Sequence, residues 1–116
     1  MAFVTDISRS EIIHSLRRLE SKFRDRGVTK LAIFGSRARG DNRPESDLDV
    51  LVDVRPDIKF SLLDLIGVAH LIEDEIGVSA NMFMRRSLDP SFARTIHDDI
   101  IEVIERAAEH SGVLAT

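Results

Sequence analysis

Residues 35–49 read Gly35-Ser36-Arg37-Ala38-Arg39-Gly40-Asp41-Asn42-Arg43-Pro44-Glu45-Ser46-Asp47-Leu48-Asp49, a Gly-Ser turn followed by two carboxylates spaced two apart. In an extended strand alternate residues share a face about 6.5–7 Å apart, so Asp47 and Asp49 can converge on one cation. Glycine lets backbone approach a phosphate closely, and a serine hydroxyl beside free N–H groups can donate to it. Paired carboxylates on a rigid strand suit Mg²⁺, which takes one or two carboxylates together with substrate phosphates. Together these parts equip a site for in-line displacement at phosphorus. Arg37 and Arg39, beside the turn, are candidate phosphate contacts. A P-loop is excluded: Gly35 and Gly40 have its spacing, but Asp41 and Asn42 stand where it needs Lys and Ser/Thr.

The elements that must position these residues follow from periodicity. Ser8 and Glu11 are spaced for a capping box, and Ile12, Ile13, Leu16, Leu19 and Phe23 predict one helix from Ser8 to Arg26, ended by Gly27. Residues 30–34 predict a buried strand running into Gly35. Asp47 to Val54 predicts a second, with Leu48, Val50, Val52 and Val54 on one face and Asp47, Asp49, Leu51 and Asp53 on the other. Ser61 caps a helix to Ile76 whose inward stripe is expected to be Leu62, Leu65, Ile66, Ala69, Ile72 and Ile76. Val78 to Met84 predicts a third strand. Asp89-Pro90 then opens a last helix striped by Phe92, Ile96, Ile100, Val103, Ile104 and Ala107, fraying near Gly112. The order α-β-β-α-β-α predicts an α+β, two-layer domain: a small mixed three-stranded sheet with packed helices, its second and third strands parallel.

At 116 residues the chain has room for one domain, 1–116. A net charge of −4 argues against broad nucleic-acid binding, and no apolar run is long enough to span a bilayer. Zero cysteines exclude disulfides, thiol catalysis and thiolate-held zinc. With no signal peptide at the N-terminus, a cytoplasmic location is expected. His14, His70, His97 and His110 share no metal-ligand spacing. Arg17-Arg18, Arg85-Arg86 and Glu73-Asp74-Glu75 read as solvated charges, and the phenylalanines read mostly as core, leaving no evident aromatic platform for a base.

The string GSRARGDNRPESDLDV resembles the polymerase-beta-like nucleotidyltransferase superfamily. Length and element order are similar to its minimal branch, the MntA-type antitoxins paired with HEPN ribonuclease toxins. The resemblance covers almost the whole chain. It implies a nucleotidyltransferase fold, ATP as substrate and a two-metal Mg²⁺ site. Gly35 and Ser36 would hold the triphosphate, and Asp47 and Asp49 the metal. It also implies a third carboxylate seven residues before Leu88, where this chain has Asn81, so that the second metal would be weakly held. Asp53, on the Asp47/Asp49 face but far along the strand, is a poor substitute. The activity implied is transfer of AMP to a HEPN-toxin tyrosine. The alternative is a weakened or inactive antitoxin that neutralises its toxin by binding. A homo-oligomer, and a free-standing transferase acting on a small molecule, stay open.

Overall fold

The computed structural model describes residues 6–105. The capping box forms: Ser8 Oγ accepts from the Glu11 N–H at 3.1 Å, and Glu11 Oε1 accepts from the Ser8 N–H at 2.9 Å. The helix expected to reach Arg26 breaks once. Leu19 leaves helical geometry (φ −89°, ψ 3°), dividing it into α1 (Arg9–Arg18) and α2 (Glu20–Asp25). Leu19 donates to Leu16 three residues back, a tightened turn that leaves both Leu19 and Phe23 buried. Strand β1 (Val28–Phe34) leads through a four-residue helix, α3 (Ser36–Arg39), and a polar loop to β2 (Leu48–Val54). Helix α4 (Leu62–Ile76), capped by Ser61 and Asp64, crosses to β3 (Ala80–Met84). A 3-10 turn (Arg85–Ser87), α5 (Pro90–Ile96), a second 3-10 turn (His97–Asp99) and β4 (Ile101–Ile104) complete the order.

The sheet is mixed, in the order β3-β2-β1-β4. β1 is antiparallel to both β2 and β4, and β2 and β3 are parallel, as the helical crossover predicts. On one face Leu31, Ile33, Leu48, Val50 and Val52 pack against α1, α2 and α4. On the other, Ala32, Phe34 and Leu51 pack with Ile96 of α5. Leu51 thus shares the carboxylate face, as alternation predicts. Among the described residues no helix is long and apolar enough to cross a membrane.

Two expectations are corrected. The sheet has four strands because the last helix ends at Ile96 and Ile101–Ile104 is a strand. The spacing of Ile96, Ile100, Val103 and Ile104 satisfies a helical stripe, but Asp98-Asp99 closes a 3-10 turn and the β-branched run after it prefers a strand. Pairing covers what would be the open edge of β1 and leaves Ile104 2% exposed. The rest of the expected helix, with Ala107, His110 and Gly112, lies outside the described residues. In α4 the buried residues are Val68, Ala69, Ile72 and Ile76, while Leu62 is 72% and Ile66 41% exposed. The inward stripe is rotated from the expected one, and two large apolar side chains face outward.

Candidate active site

The site forms where β1, β2 and β3 end side by side. Phe34 lies opposite Asp49 in the antiparallel register, and Asp49 lies beside Asn81 in the parallel one. Gly35 follows Phe34 at φ 78°, ψ −160°, a conformation open essentially to glycine alone. A Cβ at Gly35 would overlap the Asp49 carboxylate. The turn is therefore glycine twice over, for its backbone and for its closeness to the acid. Ser36 then opens α3, and its carbonyl accepts from the Gly40 and Asp41 N–H groups at 2.8 and 3.1 Å, closing the short helix.

Asp47, Asp49 and Asn81 converge. The Asn81 amide Nδ2 donates to Asp47 Oδ2 at 3.3 Å and to Asp49 Oδ1 at 3.2 Å, bridging the two acids across the strands. Burial pushes the Asp49 carboxyl above its ordinary value of 3.8; the Asn81 hydrogen bond pulls it down, the Asp47 charge pushes it up, and the Arg39 charge pulls it down. Two converging carboxylates, with an amide able to present its oxygen after a half-turn, form a donor set that fits one divalent oxygen-seeking cation. Among the described residues no group of three His, Cys, Asp or Glu side chains converges, so the third member of this set is neutral.

The raised Asp49 value has a signed consequence. A carboxyl whose folded value exceeds its unfolded one contributes stability that is complete below the unfolded value and is lost as pH rises through the folded value. The difference in thermal midpoint between metal-free Asp49→Asn and wild type should be near zero below about pH 3.8, then grow in favour of the variant as pH rises past it. Paired thermal melts in EDTA across that range check it; a gap that shrinks with rising pH would contradict the assignment.

The two arginines of the turn part company. Arg37, expected as a phosphate contact, is 1% exposed, and its guanidinium is taken up by other partners. Its Nε donates to the Ser46 carbonyl at 2.8 Å, Nη2 to the Pro44 carbonyl at 3.1 Å, and Nη1 to the Asp6 carboxylate at 3.1 Å. It staples the loop that delivers Asp47 to the helix that follows Gly35-Ser36. Arg37→Ala removes three hydrogen bonds made by a buried, charged donor to partly buried acceptors, each worth about 1.5–3 kcal/mol, so a loss of about 3 kcal/mol or more is expected in a urea unfolding titration. Arg39 is the arginine whose charge reaches Asp49; its Nη1 donates to Asp99 at 2.8 Å and its Nε to Asp41 at 3.1 Å.

Asp53 is committed elsewhere. Arg85 Nε donates to its Oδ1 at 2.7 Å, and Arg85 Nη2 donates to both oxygens of Glu102 at 3.2 and 3.1 Å. Arg85 is therefore a tie between β2, β4 and the turn after β3 rather than a solvated charge. The acidic run is likewise engaged: Glu73 accepts from the Ala80 N–H at 2.9 Å, and Glu75 pairs with Arg18 at 2.7 Å. His14, His70 and His97 are exposed and lie on separate elements.

Sequence reasoning missed the aromatic wall of the site. Phe34 and Phe83 meet edge-on with centroids 5.2 Å apart, and Phe83 stacks on Phe92 at 5.6 Å and 29°. Phe83 is two residues along β3 from Asn81 and so shares its face. Beside this wall, a groove of about 380 Å³ runs between α4 and β3. The signal for it was Leu62-Leu63 at the start of α4, more apolar surface than one inward stripe needs.

Residues 16–103 match the nucleotidyltransferase domain family. The protein adenylyltransferase MntA of Thermococcus cleftensis is 32% identical over 98 residues, spanning 84% of this chain and 97% of its own. A solved structure assigned as a minimal nucleotidyltransferase superposes with a TM-score of 0.70 at 26% identity, covering 84% of this chain and 98% of that one. A chain from the complex of tri-AMPylated Shewanella oneidensis HEPN toxin with MNT antitoxin shares the fold, with a TM-score of 0.61 at 11% identity over 89% of this chain and 77% of its own. With three quarters of its length matched, and with the Gly-Ser turn and the strand carboxylates brought together, this chain belongs to the nucleotidyltransferase domain family.

Proposed function

We propose that this protein transfers AMP from Mg²⁺-bound ATP to a tyrosine of a HEPN-type ribonuclease toxin, and so silences it. The observation that carries the reading is the seating of Gly35 directly against Asp49, which sets a phosphate-binding turn beside a carboxylate pair. Two similarities support it: the relative named as a protein adenylyltransferase, and the shared fold with the complex holding a tri-AMPylated toxin.

Each residue has a distinct task. Gly35 and Ser36 cradle the β- and γ-phosphates, where the small turn admits oxygen atoms and Ser36 donates to them. Asp47 and Asp49 hold the cation that accompanies the triphosphate, which when bound neutralises charge and polarises the phosphoryl oxygens. Arg39 adds positive charge on the same flank, and Arg37 keeps the two halves of the motif in register. The acceptor oxygen forms its bond to the α-phosphorus as the bond to the α–β bridging oxygen breaks, and pyrophosphate leaves with that electron pair.

Asn81 favours a second reading, neutralisation by contact alone. An amide brings no charge to a second cation and accepts no proton, so turnover should be limited at this position. Asn81→Asp is expected to raise the transfer rate by roughly tenfold, the equivalent of about 1.4 kcal/mol at the transition state. The experiment that separates the readings is co-expression with a HEPN-type toxin, followed by mass analysis of the toxin's tyrosine peptides and a cell-growth readout. The transferase reading expects the mass of AMP on the toxin, and a loss of both modification and protection in the Asp47→Ala, Asp49→Ala variant. An unmodified toxin that the double variant still neutralises would overturn it in favour of binding.

A further inference from the structure

The strand order assigns sides to the reaction. Asp49, on β2, has Gly35-Ser36 at the end of β1 on one flank and Asn81 of β3 on the other. In-line displacement requires the entering oxygen and the departing pyrophosphate to lie on opposite sides of the phosphorus. With the pyrophosphate held at the β1 flank, the acceptor must enter from β3. That is where the 380 Å³ groove opens. Its walls are Leu62, Leu65, Ile66 and Ala69 of α4 and Met82 and Phe83 of β3, and its one polar lining residue is Asn81, the amide that bridges the two acids. The groove thus runs along the β3 edge of the sheet, and Asn81 belongs both to its lining and to the bridge between the acids.

We propose that this groove receives the acceptor's aromatic hydroxyl side chain, a tyrosyl ring of the partner protein, with its oxygen delivered at the Asn81 end. The inference rests on the transferase reading above and adds the residues that select the acceptor. A phenol matches the lining in kind, with an apolar ring against Leu65, Ile66 and Phe83 and a single polar tip at Asn81. An uncharged, apolar lining is a poor home for a phosphate, and a serine hydroxyl has no apolar body to fill it. The outward exposure of Leu62 and Ile66, at 72% and 41%, also follows, because side chains that build an acceptor pocket cannot turn into the core. In the step itself the phenolic oxygen bonds to the α-phosphorus, the bridging P–O bond breaks with its electrons leaving on pyrophosphate, and the phenolic proton passes to solvent. The chain contains no tyrosine of its own, so adenylylated tyrosine reports only on the added acceptor.

The test uses N-acetyl-tyrosinamide and N-acetyl-serinamide as acceptors with ATP and Mg²⁺, reading AMP adducts by mass and the Kd of ATP·Mg²⁺ separately. Ile66→Glu and Leu62→Ser, both at exposed positions the fold tolerates, are compared with wild type. The expected result is modification of tyrosinamide at least tenfold faster than of serinamide. Ile66→Glu should lose it at least tenfold and Leu62→Ser by a smaller factor, with the ATP·Mg²⁺ Kd within twofold in both. Equal rates in wild type and both variants, or equal use of serinamide, would overturn the assignment. So would weakened ATP binding in the variants, which would place the adenine in the groove instead. A wild-type chain that binds ATP·Mg²⁺ without modifying tyrosinamide also overturns it, whereas one that binds no ATP·Mg²⁺ overturns the transferase reading itself.

Discussion

Asp47→Ala, Asp49→Ala is expected to lower AMP transfer by at least about a thousandfold and to abolish the Mg²⁺ dependence of ATP binding, while the protein stays folded. The reason lies in the surroundings of Asp49. Asp49 is held above its ordinary carboxyl value by burial and by the Asp47 charge, against the pull of Asn81 and Arg39. A cation relieves that disadvantage at Asp49, and removing both acids removes the only charged ligands in the set. Electrostatic stabilisation at a phosphoryl centre is commonly worth several kcal/mol, which is the size of the expected loss. Neither acid is part of the apolar core, so the metal-free thermal midpoint should stay at or above that of wild type. A double variant that retains metal-dependent ATP binding would show that the cation is held elsewhere.

Gly35→Ala is expected to be nearly as damaging by a different route. At φ 78°, ψ −160° an alanine backbone is strained by about 1–3 kcal/mol before any contact is counted. The added methyl would also meet the Asp49 carboxylate, so the acid must swing away from Asp47 and Asn81 or the turn must open. Either movement separates the phosphate turn from the metal ligands. A loss of at least about a hundredfold in transfer is expected, since misplacement by about 1 Å at a reacting centre has that cost. The stability loss should be visible in the same urea titration that reports on Arg37→Ala. Ser36→Ala, which removes one donor and keeps the backbone, should lose far less. Equal losses for the two variants would mean that the close approach of Gly35 to Asp49 is not what organises the site.

The acids were legible in the sequence because a strand's two-residue period depends only on the backbone, and Leu48, Val50 and Val52 fix which face is buried. The Gly-Ser turn was legible because a glycine closing an apolar strand run marks a change of backbone direction. Asn81 came from the resemblance, and the parallel register sets it beside Asp49. The burial of Arg37 was not legible because its partners are Asp6, 31 residues away, and carbonyls of a loop whose path no periodicity specifies. The last segment was misread because four apolar side chains satisfied a helical stripe and a strand alike, and the turn at Asp98-Asp99 together with the free edge of β1 decides between them. The Phe34–Phe83–Phe92 wall is assembled from β1, β3 and α5, so no single window of sequence contains it.

The central claim is that Gly35-Ser36 and Asp47/Asp49 form one site that moves the α-phosphoryl group of ATP onto a protein. The measurement that tests it most directly incubates the purified chain, Mg²⁺ and a HEPN-type toxin with ATP labelled on either the α- or the γ-phosphate, beside the Asp47→Ala, Asp49→Ala variant. Label is expected on the toxin from the α-position only, absent in the double variant and absent in EDTA. Label from the γ-position, or label from the α-position that survives loss of both acids, would contradict it.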